Sequence, residues 1–579
     1  MIDIQLSKYA SFDINRKLHK DNEIHIFLQF FISDNIERYN ELKFCLKSNL
    51  LNPYITHIHL LNEKIYSDIE LGIENDEHKC KIVQTDIGKR LSYADLFKYI
   101  RLNCISGYCV FTNADIMFDY TINKVRYSII SEEKKMFALL RYEYIYGINL
   151  NDCKIFGPRC DSQDTWIFHY SKIENMNNTQ EVNCSIPIKE CHEKVFNFYF
   201  GIPGCDNKMA YLINILGGEV INDPMFIRTY HYHISQNRTY SNNDKIKSPY
   251  SLIIPAGFNK YNMKHFTNNI DIELLNFTNN DLLYNYISKK INENTKFIIP
   301  RISGHENNYA FYGRVIKENN INNKNNQFDI NSDILKYFGN TIDIMKRNAG
   351  IKLSNIISII KYSDQYLRAF DNCDIYGGWE SWGQYMPHIA SSHEFIRKTY
   401  SEKQIFWSIA MDIYHYIYNR PFTLALKGKR ILIVSAFCDS IKSKIDDRSK
   451  IYDGVDLFPE CSFIFIKPPV TNGDNPSEEF DIELEHFYSR LDKIKGQYDI
   501  ALLSCGGYAN PIANYIYEIH NASAIYIGGV LQMYFGIYGK RWMADRPDIF
   551  KLYMNDYWTT PLINERPMNF TSIENGCYW

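Results

Sequence analysis

The sequence predicts an α/β protein with two units, each built around an open sheet. Two observations predict this class: short apolar strands alternate with helical segments in each half, and a polar stretch separates the halves. The length of 579 residues is also that of two to four domains.

Three predicted strands alternate with two predicted helices in the first half. The apolar run 24–32 is typical of a buried strand, and helical spacing of apolar residues follows over 34–49. Strand 55–61, helix 91–105 and strand 108–112 complete the pattern. Such alternation predicts parallel strands in a Rossmann-like sheet.

Further apolar strands are predicted in the second half, over 429–437, 499–504 and 523–527. Glycines lie next to each of them, as is common where a strand turns into a helix. This half is therefore predicted to be a second Rossmann-like unit with a parallel sheet.

The domain boundaries are predicted from composition. A polar stretch over 246–284 is interpreted as a linker or surface connection between domains 1–245 and 285–579. Within the second domain, the low-complexity segment 318–332 predicts an Asn-rich surface loop.

Composition also limits the function. Lys and Arg total 64 and Asp and Glu total 67, so the net charge of −3 gives no reason to expect nucleic acid or an anionic membrane as partner. The longest apolar stretches, such as 24–32, fall far short of the roughly 18–20 residues that span a bilayer. The N-terminus shows no leader pattern, so a cytoplasmic protein is expected. The Asn-, Ile- and Lys-rich composition is compatible with a viral origin, and the location would then be the host cytoplasm.

The chain contains 14 cysteines but no C-x-x-C pair. This spacing argues against a zinc ribbon or a thioredoxin-like site. A disulfide framework is also not expected in a chain of this length, so the cysteines are predicted to be free thiols.

An acidic segment follows the strand at 108–112. Asn113 and Asp115 are two residues apart, so in an extended strand both would face one side and could offer oxygen ligands to Mn²⁺ or Mg²⁺. In open α/β sheets, ligands bind at this carboxyl end of the strands. Because Asn and Asp are also common in turns, a plain turn remains an alternative.

Further polar groups follow in three later segments. Asp164 lies in SQDTWIF, and Asp206 lies on the glycine-rich turn GIPGCDN. His231 and His233 are again two residues apart, and one of them could complete a metal site. The alternative for each histidine is an ordinary core or surface position.

Over about 1–240, the order and spacing of these segments resemble nucleotide-sugar glycosyltransferases of the GT-A fold. The resemblance implies a mixed sheet flanked by helices and a D-x-D metal motif, here Asn113-Ala114-Asp115. Asp115 would then bind the metal, with Asn113 near the ribose or sugar. The other implied positions are Gln29 and Arg90 near the nucleotide, Asp164 near the acceptor or donor sugar, and His231 or His233 as the late metal ligand.

The chemistry of glycosyl transfer is compatible with these residues. A metal ion would stabilise the departing nucleoside diphosphate as a Lewis acid. If the reaction inverts, a carboxylate must take the acceptor proton, and Asp164 is the first candidate and Asp206 the second. A retaining reaction needs no such base, and the sequence leaves both open.

The second half, over about 285–579, resembles GT-D-type glycosyltransferase domains. Its segment RISGHE matches the R-x-G-D-G-E segment of that family, but Gly304 replaces the Asp of the D-x-E metal motif. Alternatives are tight turns for the glycine pairs and solvated surface for the basic pair. The candidate residues of a second site are Arg301, Glu306, Gly506, Gly507, Gly528, Gly529, Lys540 and Arg541.

These observations together predict a hexosyltransferase with a nucleotide-diphosphate sugar, UDP-sugar favoured, as donor. Its acceptor would be a glycan or glycoprotein, as in polysaccharide biosynthesis. Two rivals remain: the second half is a non-catalytic nucleotide- or glycan-binding module, or the enzyme is a nucleotide-sugar hydrolase.

Overall fold

The structure is a computed structural model, and the chain divides into two compact units, Met1–Phe266 and Thr267–Trp579. No helix among the described residues combines the length and apolar character needed to cross a bilayer. The described residues are 2–74, 76–172, 193–235, 244–247, 249–258, 280–322, 332–378, 387–415, 417 and 421–579.

The first unit is built from short strands and five helices among its described residues. The strands are β1 Ile2–Leu6, β2 Ile24–Leu28, β3 His57–Asn62, β4 Ile82–Asp86, β5 Tyr108–Thr112, β6 Ile116–Phe118, β7 Lys135–Leu139, β8 Tyr142–Glu143, β9 Lys154–Ile155, β10 Thr165–His169, β11 Glu219–Ile221, β12 Thr229–His231 and β13 Tyr250–Ile254. The helices are α1 Ile36–Leu51, α2 Asp68–Leu71, α3 Tyr93–Leu102, α4 Glu193–Phe196 and α5 Cys205–Ile215.

The central sheet of this unit has the order β11-β7-β10-β5-β2-β3-β4. Strands β5, β2, β3 and β4 are parallel, whereas β10 runs antiparallel to both of its neighbours. A smaller sheet has the order β6-β12-β8-β9. The prediction of a mixed sheet in an α/β unit is therefore confirmed.

Local sequence explains where the first elements begin and end. All residues of β2 are buried, as expected for a central strand with an apolar run. The predicted strand 24–32 ends at Leu28, because Phe30 N–H donates to the Asn62 side chain instead of continuing the ladder. Helix α3 begins after Ser92, whose side chain forms a capping box with Asp95.

The second unit contains two parallel sheets among its described residues, with the orders β14-β20-β19-β17-β18 and β15-β16. The predicted parallel sheet is confirmed. The strands are β14 Ile298–Ile299, β15 Ile375–Gly378, β16 Gln404–Trp407, β17 Arg430–Ser435, β18 Ser462–Ile466, β19 Ile500–Ser504 and β20 Ser523–Tyr526. The helices are α6 Asn280–Asn292, α7 His305–Asn322, α8 Ser332–Ile344, α9 Ile356–Asp371, α10 Pro387–Thr399, α11 Cys438–Lys442, α12 Arg448–Ile451, α13 Phe480–Leu491, α14 Ala509–Tyr515, α15 Lys540–Asp545 and α16 Pro547–Tyr553.

Two segments differ from the predicted loops. The proposed connection 246–284 contains β13, which pairs in parallel with β1 because its apolar residues are buried within the first unit. The proposed loop 318–332 is helical up to Asn322, where α7 ends. Helix α8 then begins at Ser332, and 323–331 lie outside the described residues.

Candidate metal and donor site

The candidate site lies at the carboxyl end of β5, where residues 113–115 follow the last strand residue. Strand β6 begins next, and its Ile116 pairs with His231 of β12 in an antiparallel register. The backbone N–H of Tyr232 also donates to the Asp115 carbonyl oxygen over 2.9 Å. This strand pairing brings the late histidines beside Asp115.

Asp115, His231 and His233 form a group that could hold one metal ion. Their ligand atoms all lie within 4.8 Å of one another. Asp115 Oδ2 is 3.3 Å from His231 Nε2 and 3.8 Å from His233 Nδ1. Asp115 Oδ1 is buried and makes no hydrogen bond. A buried carboxylate oxygen without a partner is costly, so this donor set fits a bound cation.

Arg38 of helix α1 holds Asp115 in its ionised form. Its Nη2 donates to Asp115 Oδ2 over 2.6 Å, and its Nη1 donates to Glu41 over 3.1 Å. Burial alone would raise the pKa of the Asp115 carboxyl, but His231 and Arg38 outweigh it and hold that pKa far below its usual range. A permanently ionised oxygen is the state that binds a metal.

Glu143 orients His231 from the other side. His231 Nδ1 lies 3.1 Å from Glu143 Oε2, which leaves Nε2 directed toward Asp115. Burial lowers the pKa of His231, but the Asp115 and Glu143 carboxylates outweigh it and raise the pKa to about 9. Metal binding at Nε2 would therefore release a proton.

Asp164 is held by two neighbours in the same region. Its Oδ2 accepts a hydrogen bond of 2.5 Å from Arg141 Nη1, and its Oδ1 accepts one of 3.0 Å from Asn113 Nδ2. Both oxygens are thus occupied by strong donors. This arrangement suits a group that positions its neighbours better than one that removes a proton.

Asp206 has a different environment, in the first turn of α5. Its oxygens accept backbone hydrogen bonds from Gln163 (2.9 Å) and Asn207 (3.0 Å). Burial and the nearby Asp164 charge raise the pKa of Asp206 to about 7, although these hydrogen bonds oppose the shift. A carboxyl group with a pKa near neutrality can exchange a proton during a reaction.

A cavity of about 870 Å³ connects these groups, and all eight candidate residues of the first half line it. At its rim, Gln29 accepts a hydrogen bond from Leu91 N–H over 2.9 Å, and Arg90 donates to the Phe200 carbonyl over 2.8 Å. The candidates brought together are Gln29, Arg90, Asn113, Asp115, Asp164, Asp206, His231 and His233. A volume of this size is typical of ligand sites.

The sequence reasoning missed several charged residues of this cavity region, among them Arg38, Arg141, Arg159 and Glu143. Arg38 meets Asp115 across 77 residues of chain, and no local pattern distinguishes it from an ordinary helix residue. Arg141 and Glu143 could have been selected from the sequence, because they are charged residues at alternate positions just after the apolar strand β7.

In the second unit, Arg301 and Gly528 lie together. Arg301 Nη1 donates to the Ile527 carbonyl over 2.7 Å, and its guanidinium group lies 4.7 Å from the centre of the Tyr526 ring. A Cβ atom on Gly528 would lie 2.2 Å from Arg301 Nη2. Glu306, in the first turn of α7, has a pKa raised by burial, which the Arg301 charge partly offsets.

The other glycines of the predicted second site have packing neighbours. A Cβ atom would lie 2.9 Å from the Ala349 carbonyl at Gly506, 2.3 Å from Ile351 at Gly507 and 2.4 Å from Tyr578 at Gly529. A bound ligand is therefore not needed to explain why these positions are glycine. Close packing accounts for all three positions.

The two residues of the predicted basic pair have different surroundings. Lys540 is exposed at the start of α15. Arg541 donates to the Tyr578 hydroxyl over 2.9 Å and pairs with Glu574. Arg541 is thus engaged by Tyr578 and Glu574, whereas Lys540 is exposed, and their joint binding of a phosphate stays a prediction.

No protein-family model matches the chain, and no curated protein sequence matches it. Among solved structures, the chain is similar to a mannosyltransferase, PcManGT from Pyrobaculum calidifontis, in complex with GDP-Man and Mn²⁺. The identity is 10%, the match covers 40% of this chain and 61% of that chain, and the TM-score is 0.26.

A second similar structure is GalNAc-T7 with UDP, GalNAc and Mn²⁺, at 11% identity and a TM-score of 0.23. That match covers 38% of this chain and 45% of the other. The chain thus spans less than two thirds of either structure, and TM-scores this low carry no argument about function. Neither similar structure supports the resemblance of the second half to GT-D-type domains, which stays a prediction.

Proposed function

We propose that the first unit is a metal-assisted glycosyltransferase of GT-A type, using a nucleotide-diphosphate sugar as donor. One observation carries the proposal: the buried, unpartnered Oδ1 of Asp115 lies with His231 and His233 at the carboxyl end of the parallel strands, within a cavity large enough for a ligand. The acceptor would be a hydroxyl group of a glycan or glycoprotein.

The charges around the cavity complement a diphosphate. Arginines are preferred partners of phosphate, and this cavity is lined by Arg38, Arg90, Arg141 and Arg159. Asp115, His231 and His233 would hold the metal, and two imidazole ligands favour Mn²⁺ over Mg²⁺. The metal would act as a Lewis acid toward the leaving diphosphate.

The proton balance of the transfer assigns a role to Asp206. The acceptor oxygen forms a bond to the anomeric carbon and gives its proton to the Asp206 carboxylate. The bond from the anomeric carbon to the phosphate oxygen breaks, and its electron pair leaves with the nucleoside diphosphate. Asp164, held by Arg141 and Asn113, would position the sugar. The geometry therefore favours Asp206 as the base, whereas the sequence analysis ranks Asp164 first.

The test is nucleotide release from UDP-, GDP- and dTDP-sugars with Mn²⁺, measured with and without a panel of glycan acceptors. We expect one donor to turn over, with release rising at least tenfold when an acceptor is present. Release that is equally fast without acceptor would instead identify a nucleotide-sugar hydrolase. No release from any donor, combined with no binding of the nucleoside diphosphates, would overturn the proposal.

A further inference from the structure

A second cluster of histidines lies on β2 and β3, where the sequence reads IHIFL and HIHLLN. His25 of β2 is the direct register partner of His57 on β3. Their rings stack with centroids 4.9 Å apart and an interplanar angle of 9°. His59 lies two residues beyond His57 and so faces the same side of the sheet.

The geometry of this cluster resembles a ligand set. Suitable atoms of Glu23, His25 and His57 all lie within 4.8 Å of one another. His25 Nε2 is 3.3 Å from Glu23 Oε2. Two ligands of a tetrahedral zinc lie about 3.4 Å apart when each bond is about 2.1 Å, so this pair already has the required spacing.

Two nitrogen atoms of the cluster lack a well-formed hydrogen bond. His57 Nδ1 is buried with no partner, and buried His25 Nε2 has only Glu23 Oε2 beside it at 3.3 Å. His25 as a whole is only 6% exposed. Buried polar atoms are normally satisfied by protein or by a bound group. Two such nitrogens beside one carboxylate therefore point to a ligand that all three share.

His59 supplies the support that a metal-binding histidine requires. His25 Nδ1 lies 3.1 Å from His59 Nε2, and His59 Nδ1 lies 3.3 Å from the Tyr99 hydroxyl oxygen. If each Nδ1 carries its proton and donates along this chain, His25 Nε2 keeps a free electron pair. Ligating histidines typically donate their other ring N–H in this way.

This cluster is separate from the Asp115 site. His25 lies near the amino end of β2, whereas Gln29, which lines the cavity, follows its carboxyl end. Four residues of strand separate them by about 13 Å. The Glu23 side chain is 55% exposed, so an ion can reach the cluster from solvent.

We propose that Glu23, His25 and His57 bind one Zn²⁺ at the amino ends of β2 and β3, with water as the fourth ligand. Two imidazoles and one carboxylate are a known zinc ligand set, and such a set leaves one position open. The ion joins two neighbouring strands of the central sheet. It would therefore stabilise the first unit by an amount that rises with the logarithm of its affinity. This inference does not depend on the proposed transferase activity.

The experiment measures Zn²⁺ stoichiometry of the full chain by competition with a chromogenic chelator. We expect His57→Gln to bind one equivalent of Zn²⁺ fewer than the wild type. His231→Gln should also bind one equivalent fewer, lost from the Asp115 site. The double variant loses both. Exposed His486 provides the matched control, and His486→Gln should bind as the wild type does.

Two further measurements distinguish loss of the metal site from misfolding of the variant. Glu23→Gln changes an exposed side chain, and we expect it to weaken this Zn²⁺ at least tenfold while the protein keeps its circular dichroism spectrum. Co²⁺ should give visible absorption bands of a four-coordinate site in the wild type and in His231→Gln, but not in His57→Gln. Unchanged Zn²⁺ binding in both Glu23→Gln and His57→Gln would overturn the proposal.

Discussion

The charged groups of the two units have different surroundings. In the first, Asp115 keeps one buried oxygen without a hydrogen bond, and four arginines line the same cavity. In the second, Arg301 bonds the Ile527 carbonyl and Arg541 pairs with Glu574. The arginines of the first unit are bonded to the protein as well, so the difference lies at Asp115, where a buried carboxylate oxygen left open beside two histidines can bind a metal ion. The comparison therefore favours the first unit as the location of the proposed chemistry.

Removal of the metal should have the largest effect. With Mn²⁺ chelated by EDTA, we expect donor turnover to fall about a thousandfold, equal to about 4 kcal/mol, because charge on the leaving diphosphate is no longer stabilised. Added Mn²⁺ should restore the rate. His57→Gln should show the same chelator sensitivity as the wild type, since its cluster is separate. Full turnover in EDTA would contradict the metal-binding role proposed for Asp115.

Replacement of Asp206 should have the next largest effect. Asp206→Asn removes the proposed base, so kcat should fall about 100- to 10,000-fold. The raised pKa of about 7 predicts that wild-type activity increases as pH rises through 7, because the carboxyl then loses its proton. The variant should lack this rise.

The matched comparison is Asp164→Asn, which changes a carboxylate held by Arg141 and Asn113. We expect this variant to raise KM while it keeps the increase of rate through pH 7. If Asp164→Asn abolishes that increase and Asp206→Asn keeps it, the two roles are reversed.

Much of the first site could be predicted because its signals are local. A strand end followed by Asn113 and Asp115 is visible within a few residues, and so is the spacing of His231 and His233. The antiparallel pairing of β6 with β12, which brings the histidines to Asp115, was not predicted, because the alternation of strands and helices indicates only the parallel strands. Arg38 could not be predicted, because its contact with Asp115 bridges 77 residues of chain. Glu143 had a local signal, but its partner His231 lies 88 residues away, so the contact itself could not be predicted.

The glycines of the second unit show a different limit. A glycine is required both where a ligand approaches the backbone and where another side chain packs against it. The sequence does not separate these causes at Gly506 or Gly529. The structure shows Ala349 beside Gly506 and Tyr578 beside Gly529, so packing is sufficient to explain both glycines.

Substitution of Gly528 tests the packing role in the second unit. Gly528→Ala should lower the free energy of unfolding by about 1–3 kcal/mol, because its Cβ would collide with Arg301. Gly454 is the control, since it has a similarly positive φ but no atom within 4 Å of an added Cβ. Equal thermal stability of the two alanine variants would contradict this account, and donor turnover should be unchanged in both.

The smallest effect is expected at Lys540, which is exposed. Lys540→Ala should change the free energy of unfolding by less than about 0.5 kcal/mol and leave donor turnover unchanged. A large increase in KM for the donor would show that this lysine binds phosphate and that the second unit takes part.

The most direct test of the central claim compares two isosteric variants, Asp115→Asn and Glu306→Gln, in Mn²⁺-dependent nucleotide release. Each replaces one carboxyl group by an amide of the same size, one in each unit. We predict that Asp115→Asn lowers kcat/KM at least 100-fold, whereas Glu306→Gln stays within about twofold of the wild type. Loss of activity in Glu306→Gln with full activity in Asp115→Asn would contradict the account and move the catalytic site to the second unit.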